Sequence, residues 1–204
     1  MWNERYSTQD YVYGKLPNDF LKEVSVKLTR GRTLCLAEGE GRNAVFLATL
    51  GHDVLAVDLS IVGLNKAQAL ATEHCVEIQT EVADLAGYDL GESKWDTIVS
   101  IFCHLPPEVR KRLHSQIAKA LVPGGVFVLE AYTPDQLGFG TGGPPVAEMM
   151  MSLEALKDEL SGLYFEHAVE IERDVCEGFF HTGRGAVVRL LARKVSRSGL
   201  EEQP

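Results

Sequence analysis

The chain has 204 residues, 45% hydrophobic and 24% charged, with a formal net charge of −9. That length suits one domain with a real core, and the negative balance argues against a nucleic-acid partner held by phosphate neutralisation. Cys35, Cys75, Cys103 and Cys176 are widely spaced with no CxxC pair, so neither a metal site nor a disulfide framework is indicated. Reduced thiols and a cytoplasmic location are expected. No apolar run approaches membrane-spanning length, and Met1-Trp-Asn-Glu-Arg-Tyr6 lacks the layout of a signal peptide. The expected partner is a small molecule, with no nucleic acid and no membrane; a monomer and a homodimer are both compatible with the sequence.

Residues 1–20 form an aromatic arm carrying Trp2, Tyr6, Tyr11, Tyr13 and Phe20, broken by Gly14 and Pro17-Asn18. It reads either as packing against the domain or as a lid over a ligand. Phe20 to Leu28 reads as a short helix. Thr33 to Ala37 is a short apolar strand, Glu38-Gly-Glu-Gly41 a glycine corner, and Arg42 to Leu50 a helix. Glycines there allow a sharp turn and close approach of a ligand, and a helix start offers unpaired N–H groups.

Asp53 to Val57 is a second strand, ending in Asp58, and Ser60 caps a helix over Ile61 to His74. Cys75 to Thr80 is a third strand, and Thr97 to Phe102 a fourth. A helix opens at Pro106 or Pro107 and stops at Pro123-Gly-Gly125, before a fifth strand over Val126 to Tyr132. Strand alternating with helix implies a parallel sheet covered on both faces.

Thr133 to Met151 is a long glycine-rich loop, and Leu153, Leu156 and Leu160 mark a helix. Leu163 to Val175 alternates as an edge strand. Gly185 to Ala192 is nearly all apolar and reads as an interior strand, joined to its predecessor by a hairpin through Glu177 to Arg184. The last strand is therefore expected between the fifth and sixth. Residues 196–204 are a polar tail, expected to be disordered, and one domain is expected over 1–204.

Two ligand readings compete at the corner. Gly39-x-Gly41-x-x-Ala44 with Asp58 satisfies a loose dinucleotide fingerprint, consistent with an NAD-dependent oxidoreductase. Glu38 and Glu40 oppose it, because carboxylates there repel a pyrophosphate. Asp84 is a second acidic strand end that a dinucleotide does not require. S-adenosylmethionine (SAM) removes the conflict: it has no phosphate, and its sulfonium and ammonium groups are cationic. Asp58 would then accept both ribose hydroxyls, Asp84 would sit by the adenine amino group, and Ile101, Phe102 and Leu105 would line the purine or the methyl channel.

Glu38-Gly-Glu-Gly-Arg-Asn43, Val57-Asp-Leu-Ser60, Ala83-Asp-Leu85 and Leu121-Val-Pro-Gly-Gly125 resemble successive motifs of class I SAM-dependent methyltransferases. The resemblance implies a Rossmann-like α/β fold with a seven-stranded, mostly parallel sheet of order 3-2-1-4-5-7-6, strand 7 antiparallel and helices on both faces. Trp2-x-x-Arg-Tyr6, Tyr11-x-Tyr-Gly14 and Pro17-Asn18-x-Phe20 resemble a group of small bacterial enzymes similar to the tellurite-resistance methyltransferase TehB and, more distantly, to thiopurine methyltransferase. The cofactor-binding residues expected are Tyr13, Glu38, Gly39, Glu40, Gly41, Asn43, Asp58, Leu59, Ala83, Asp84, Leu85, Ile101, Phe102 and Leu105. The product would be S-adenosylhomocysteine (SAH).

The acceptor is expected to be a soft nucleophile, a thiol or a selenium or tellurium oxyanion, with a hydroxyl or amine as the alternative. His104, His181 and Arg184 are the catalytic candidates, as a base or as a clamp for an anionic group. His52, His74, His114 and His167 read as structural or exposed. A SAM-binding protein without turnover is the alternative from another class.

Overall fold

The computed structural model describes residues 1–195; the tail expected to be disordered, 196–204, lies outside the described residues. The strands are β1 (Arg32–Leu36), β2 (Asp53–Asp58), β3 (Gln79–Val82), β4 (Trp95–Ile101), β5 (Leu121–Tyr132), β6 (Tyr164–Cys176) and β7 (Thr182–Arg193). They form one sheet in the order β3-β2-β1-β4-β5-β7-β6. The first five pair in parallel, and β7 runs antiparallel to both β5 and β6. The apolar last strand thus lies inside the sheet, as its composition requires.

The helices are α1 (Trp2–Arg5), α2 (Asp19–Val24), α3 (Arg42–Thr49), α4 (Ile61–Glu73), α5 (Pro107–Ala120) and α6 (Leu153–Glu159). Leu47, Leu64 and Leu70 of α3 and α4 join Phe20, Val99 and Val128 in the core on one face of the sheet. Leu113 and Ile117 of α5 join Leu129, Leu156 and Leu190 on the other. Parallel strands buried on both faces explain why the middle of the chain reads as apolar runs rather than alternation.

Boundaries differ from expectation where local turns take the backbone donors. β3 begins at Gln79 rather than Cys75, because the N–H groups of Cys75 and Val76 close the end of α4 on Thr72 O and Ala71 O. Cys75 stands at φ 55° to allow it. α5 already ends at Ala120, and β5 starts at Leu121 and bulges through Pro123-Gly-Gly125 before it resumes at Val126. β7 starts at Thr182, so the hairpin turn shrinks to 177–181. Ser60 caps α4 as expected, accepting the Gly63 N–H at 3.1 Å.

A buried ion cluster ties the second face together. Arg110 on α5 donates to Glu159 on α6 at 2.8 Å, and to the carbonyls of Glu148 and Met150 at the end of the glycine-rich loop. His114 Nδ1 lies 2.6 Å from the same carboxylate. Burial pushes the Glu159 carboxyl up, but the bonds from His114 and Arg110 outweigh it and hold the group down at about 2. A carboxyl depressed from 4.5 to about 2 adds stability above pH 4.5 that is lost as the pH falls toward 2. Urea unfolding over this range should show a loss of roughly 3 kcal/mol. Glu159→Gln should start lower and lack that part of the acid slope; an identical slope in the variant would contradict the assignment.

Candidate active site

The corner after β1 is closed by its own acid. Glu38 Oε1 accepts the N–H of Asn43 at 2.9 Å and of Ala44 at 2.8 Å. Two of the free amides expected at the start of α3 are therefore already satisfied by a carboxyl oxygen at the positive end of the helix. Gly39 and Gly41 have φ of 64° and 92°. A Cβ at Gly39 would stand 2.6 Å from Tyr6 Oη, and one at Gly41 2.5 Å from Ala67 Cβ. Both positions therefore need glycine for space as well as for conformation. Ala37 and Phe102 hold φ of 49° and 51° directly after β1 and β4. Strained backbone of this kind concentrates at functional edges.

Asp58 ends β2, is 6% exposed, and faces the same corner. Its Oδ2 accepts the Gly39 N–H at 2.9 Å and its Oδ1 the Ser60 N–H at 2.7 Å. Each oxygen keeps a second lone pair, so the carboxylate is fixed in place and can still accept a ribose hydroxyl on either side. Burial pushes its pKa up, and the backbone N–H groups of Ser60, Gly39 and Leu59 pull it back. Asp84 is exposed beyond β3, with Oδ1 accepting the Ala86 N–H at 2.8 Å. Leu59 is 56% exposed, Ala83 half-buried, and Ile101 buried. Leu85 is buried in the core of the α5 face, where Leu105 packs on it, so both build the wall behind the crevice.

Two expected cofactor residues are turned elsewhere. Glu40 is buried and pairs with Lys66 Nζ at 2.5 Å, and it accepts the Tyr13 N–H at 3.3 Å. It holds the arm on α4, which explains the second acid without a ligand. Asn43 Oδ1 accepts the Asn18 N–H at 2.9 Å and likewise serves the arm.

Of the catalytic candidates, only His181 keeps a ring nitrogen available. His104 Nδ1 lies 3.0 Å from Met149 O, and its Nε2 accepts the Tyr132 N–H at 3.3 Å. Both nitrogens are used, and burial pushes the ring down to about 4. His104 is a strut between the loop end and β5. Arg184 lies on β7, not in the turn. Strand alternation points it to the opposite face from Gly185 and Val187, where it pairs with Glu172 at 3.2 Å in solvent. His181 is 9% exposed and packs tilted against Tyr13 and edge-on to Phe102, each at 4.6 Å between ring centroids. Burial first, then the Arg42 charge, push it down to about 3, so it is neutral at physiological pH.

Arm, glycine-rich loop and hairpin turn meet at this cluster. The Phe179 N–H bonds Val12 O at 2.9 Å, and Gly142 packs on Tyr132 and Phe180. Beneath them lies a buried ion network whose members, Asn43 apart, are absent from the expected site. Asn18 Nδ2 donates to Glu130 and Glu177, both at 2.9 Å. Arg173 bridges the same two carboxylates; Arg189 binds Glu130 and Arg42 binds Glu177, each at 2.5 Å. The signal available for it was Glu130, a lone acid in the apolar run of an interior strand. Among the described residues no group of three His, Cys, Asp or Glu could hold a metal ion, and no helix is long and apolar enough to cross a membrane.

Residues 34–125 match the family model described as a methyltransferase domain. Over this stretch, a little under half of the chain, the sequence is similar to methyltransferase domains. The chain is also 26% identical over 130 residues to a 2-heptyl-1-hydroxyquinolin-4(1H)-one methyltransferase of Mycobacteroides abscessus. That alignment covers 60% of this chain and 57% of the relative, so the chain spans a little over half of that protein's length. The fold superposes on a structure solved for the conversion of a disulfide bond into a thioacetal group during echinomycin biosynthesis, with a TM-score of 0.74 and 19% identity over 99% of this chain and 95% of that one. It superposes on TehB from Haemophilus influenzae with a TM-score of 0.70 and 20% identity, over 95% of this chain and 65% of that one. At such identities these two structures speak for the fold.

The domain implies SAM as cofactor, and the corner fits it: acid and close backbone without a phosphate cradle. Asp58→Ala should weaken SAM binding by about 1.5–3 kcal/mol, the cost of a lost charged hydrogen bond; equal affinity by calorimetry would put Asp58 outside the site. Burial raises Glu38 from 4.5 to about 7 against the pull of the Ala44 N–H. That shift favours the folded state below pH 4.5, and the gain is lost as the pH rises through 7. A cation bound nearby favours the ionised form instead. SAM affinity should therefore rise by up to roughly eightfold between pH 6 and 7.5. Glu38→Gln should flatten the profile, and a flat profile in the unaltered protein would show that Glu38 does not sense the cofactor.

Proposed function

We propose that this chain transfers a methyl group from SAM to a small-molecule acceptor by in-line displacement. One observation carries the reading: the Glu38 carboxylate occupies the α3 amides that a pyrophosphate would need. When bound, the cofactor supplies an electrophilic methyl group on a sulfonium. Asp58 and the Gly39–Gly41 backbone would hold its adenosyl part, with Asp84, Leu59 and Ala83 at the adenine side. Ile101 and Phe102 would line the channel toward Tyr13, Tyr132 and His181. Aligning acceptor, methyl carbon and sulfur can contribute on the order of 7–11 kcal/mol to lowering the barrier.

The acceptor is a soft nucleophile, with a thiol as the leading candidate. A thiol ionises with little help, and the site offers little: both His104 nitrogens are used, and His181 is pushed down to about 3. A second reading is a hydroxyl acceptor, favoured by the Mycobacteroides abscessus relative, whose substrate is a hydroxylated heterocycle.

Calorimetry with SAM, SAH and NAD tests the cofactor. Micromolar binding of SAM and SAH is expected, with no response to NAD. NAD binding without SAH binding would overturn the proposal. A panel of thiols and phenols assayed for SAH release then separates the two acceptor readings, and tight SAH binding with no turnover on any acceptor would leave a binding protein.

A further inference from the structure

Among the described residues, Tyr132 Oη and His181 Nδ1 are buried polar atoms without a hydrogen-bond partner. Tyr132 is fully buried, His181 is 9% exposed, and their ring centroids lie 5.4 Å apart at 84°. Leaving such groups unpaired is costly because their desolvation is not repaid, and native proteins keep few of them. The loop closes on them without helping: a Cβ at Gly142 would stand 3.1 Å from Tyr132 Oη and 3.3 Å from the His181 ring. A third such atom, Arg173 Nε, belongs to the ion network. The terminal nitrogen of that guanidinium already serves Glu130 and Glu177, so its charge is spent. Arg42, the other cation acting on His181, is held by Glu177.

We propose that Tyr132 Oη and His181 Nδ1 are the polar contact for the methyl acceptor and select an uncharged molecule with an apolar body and an O–H or S–H group. The assignment rests on the methyltransferase reading above and narrows it, because it excludes selenium and tellurium oxyanions. His181 Nδ1 accepts the X–H hydrogen bond, and Tyr132 donates to the lone pair of the same atom. An acceptor of this kind satisfies both orphaned atoms at once. An oxyanion would enter a buried place whose cations are already paired, at the cost of an uncompensated charge. The turn that carries His181 also exposes Phe179 and Phe180, at 78% and 53%, which suits an apolar body at the mouth.

The test uses the full chain labelled with nitrogen-15 histidine and saturated with SAH, titrated with phenol, benzyl mercaptan and sodium selenite. Phenol and benzyl mercaptan should move the His181 Nδ1 resonance, identified by its absence in His181→Gln, and selenite should not. Tyr132→Phe should weaken phenol binding at least fivefold and leave SAH binding unchanged. A shift with selenite alone, no shift with any probe, or equal phenol affinity in Tyr132→Phe would each overturn the assignment while SAH still binds. Failure of SAH to bind would instead remove the methyltransferase reading, and this inference with it.

Discussion

The corner after β1 depends on one internal bond: a carboxylate five residues back in the chain caps the helix that follows. Glu38 reaches across two glycines and takes the Asn43 and Ala44 amides. In a phosphate-binding corner those amides and the helix dipole face the ligand. Here they face inward and hold the turn shut, and the surface left to a ligand is acidic. The same bond fixes where Gly39 lies, which lets its N–H orient Asp58. One capping interaction thus sets the sign of the site and the aim of its second acid.

Much of this was legible in the sequence because it is local. A parallel sheet follows from alternating elements and the inner place of β7 from an apolar final strand, while the full strand order was implied by the resemblance; the acids at residues 38 and 58 sit at fixed offsets from glycines and from Ser60. What Glu38 does was less legible. Its charge argued against phosphate, but the helix start still read as offering free amides, because a carboxylate's reach over a turn is set by backbone angles that glycine leaves open. Asp58 was expected as the acceptor of the ribose hydroxyls, and the structure braces its carboxylate on the Gly39 and Ser60 N–H groups.

The failures lie where long-range pairing decides. Arg184 was placed in a turn, and β7 begins two residues before it, so alternation sends it to solvent. His104 follows β4 as expected, yet the loop carbonyl of Met149 arrives 45 residues later to claim its ring. Glu40 needed a lysine from α4 to explain it. Tyr132 read as the end of the fifth strand, and the missing partner at its hydroxyl is what sets it apart.

The ion network under the arm is better understood as placement than as stability. Glu130 and Glu177 are almost fully buried, and ion pairs removed from water often recover little more than their desolvation cost. Their geometry is restrictive, however. Asn18 reaches both carboxylates with one amide nitrogen, caps α2 through its own oxygen at 3.0 Å, and meets Asn43 through its backbone. An apolar contact would let the arm slide, whereas these bonds are met in one position only. That position brings Tyr13 onto His181 and Tyr6 onto Gly39. The arm is thereby registered against the glycine corner and the hairpin turn together, the two places where a cofactor and an acceptor must meet.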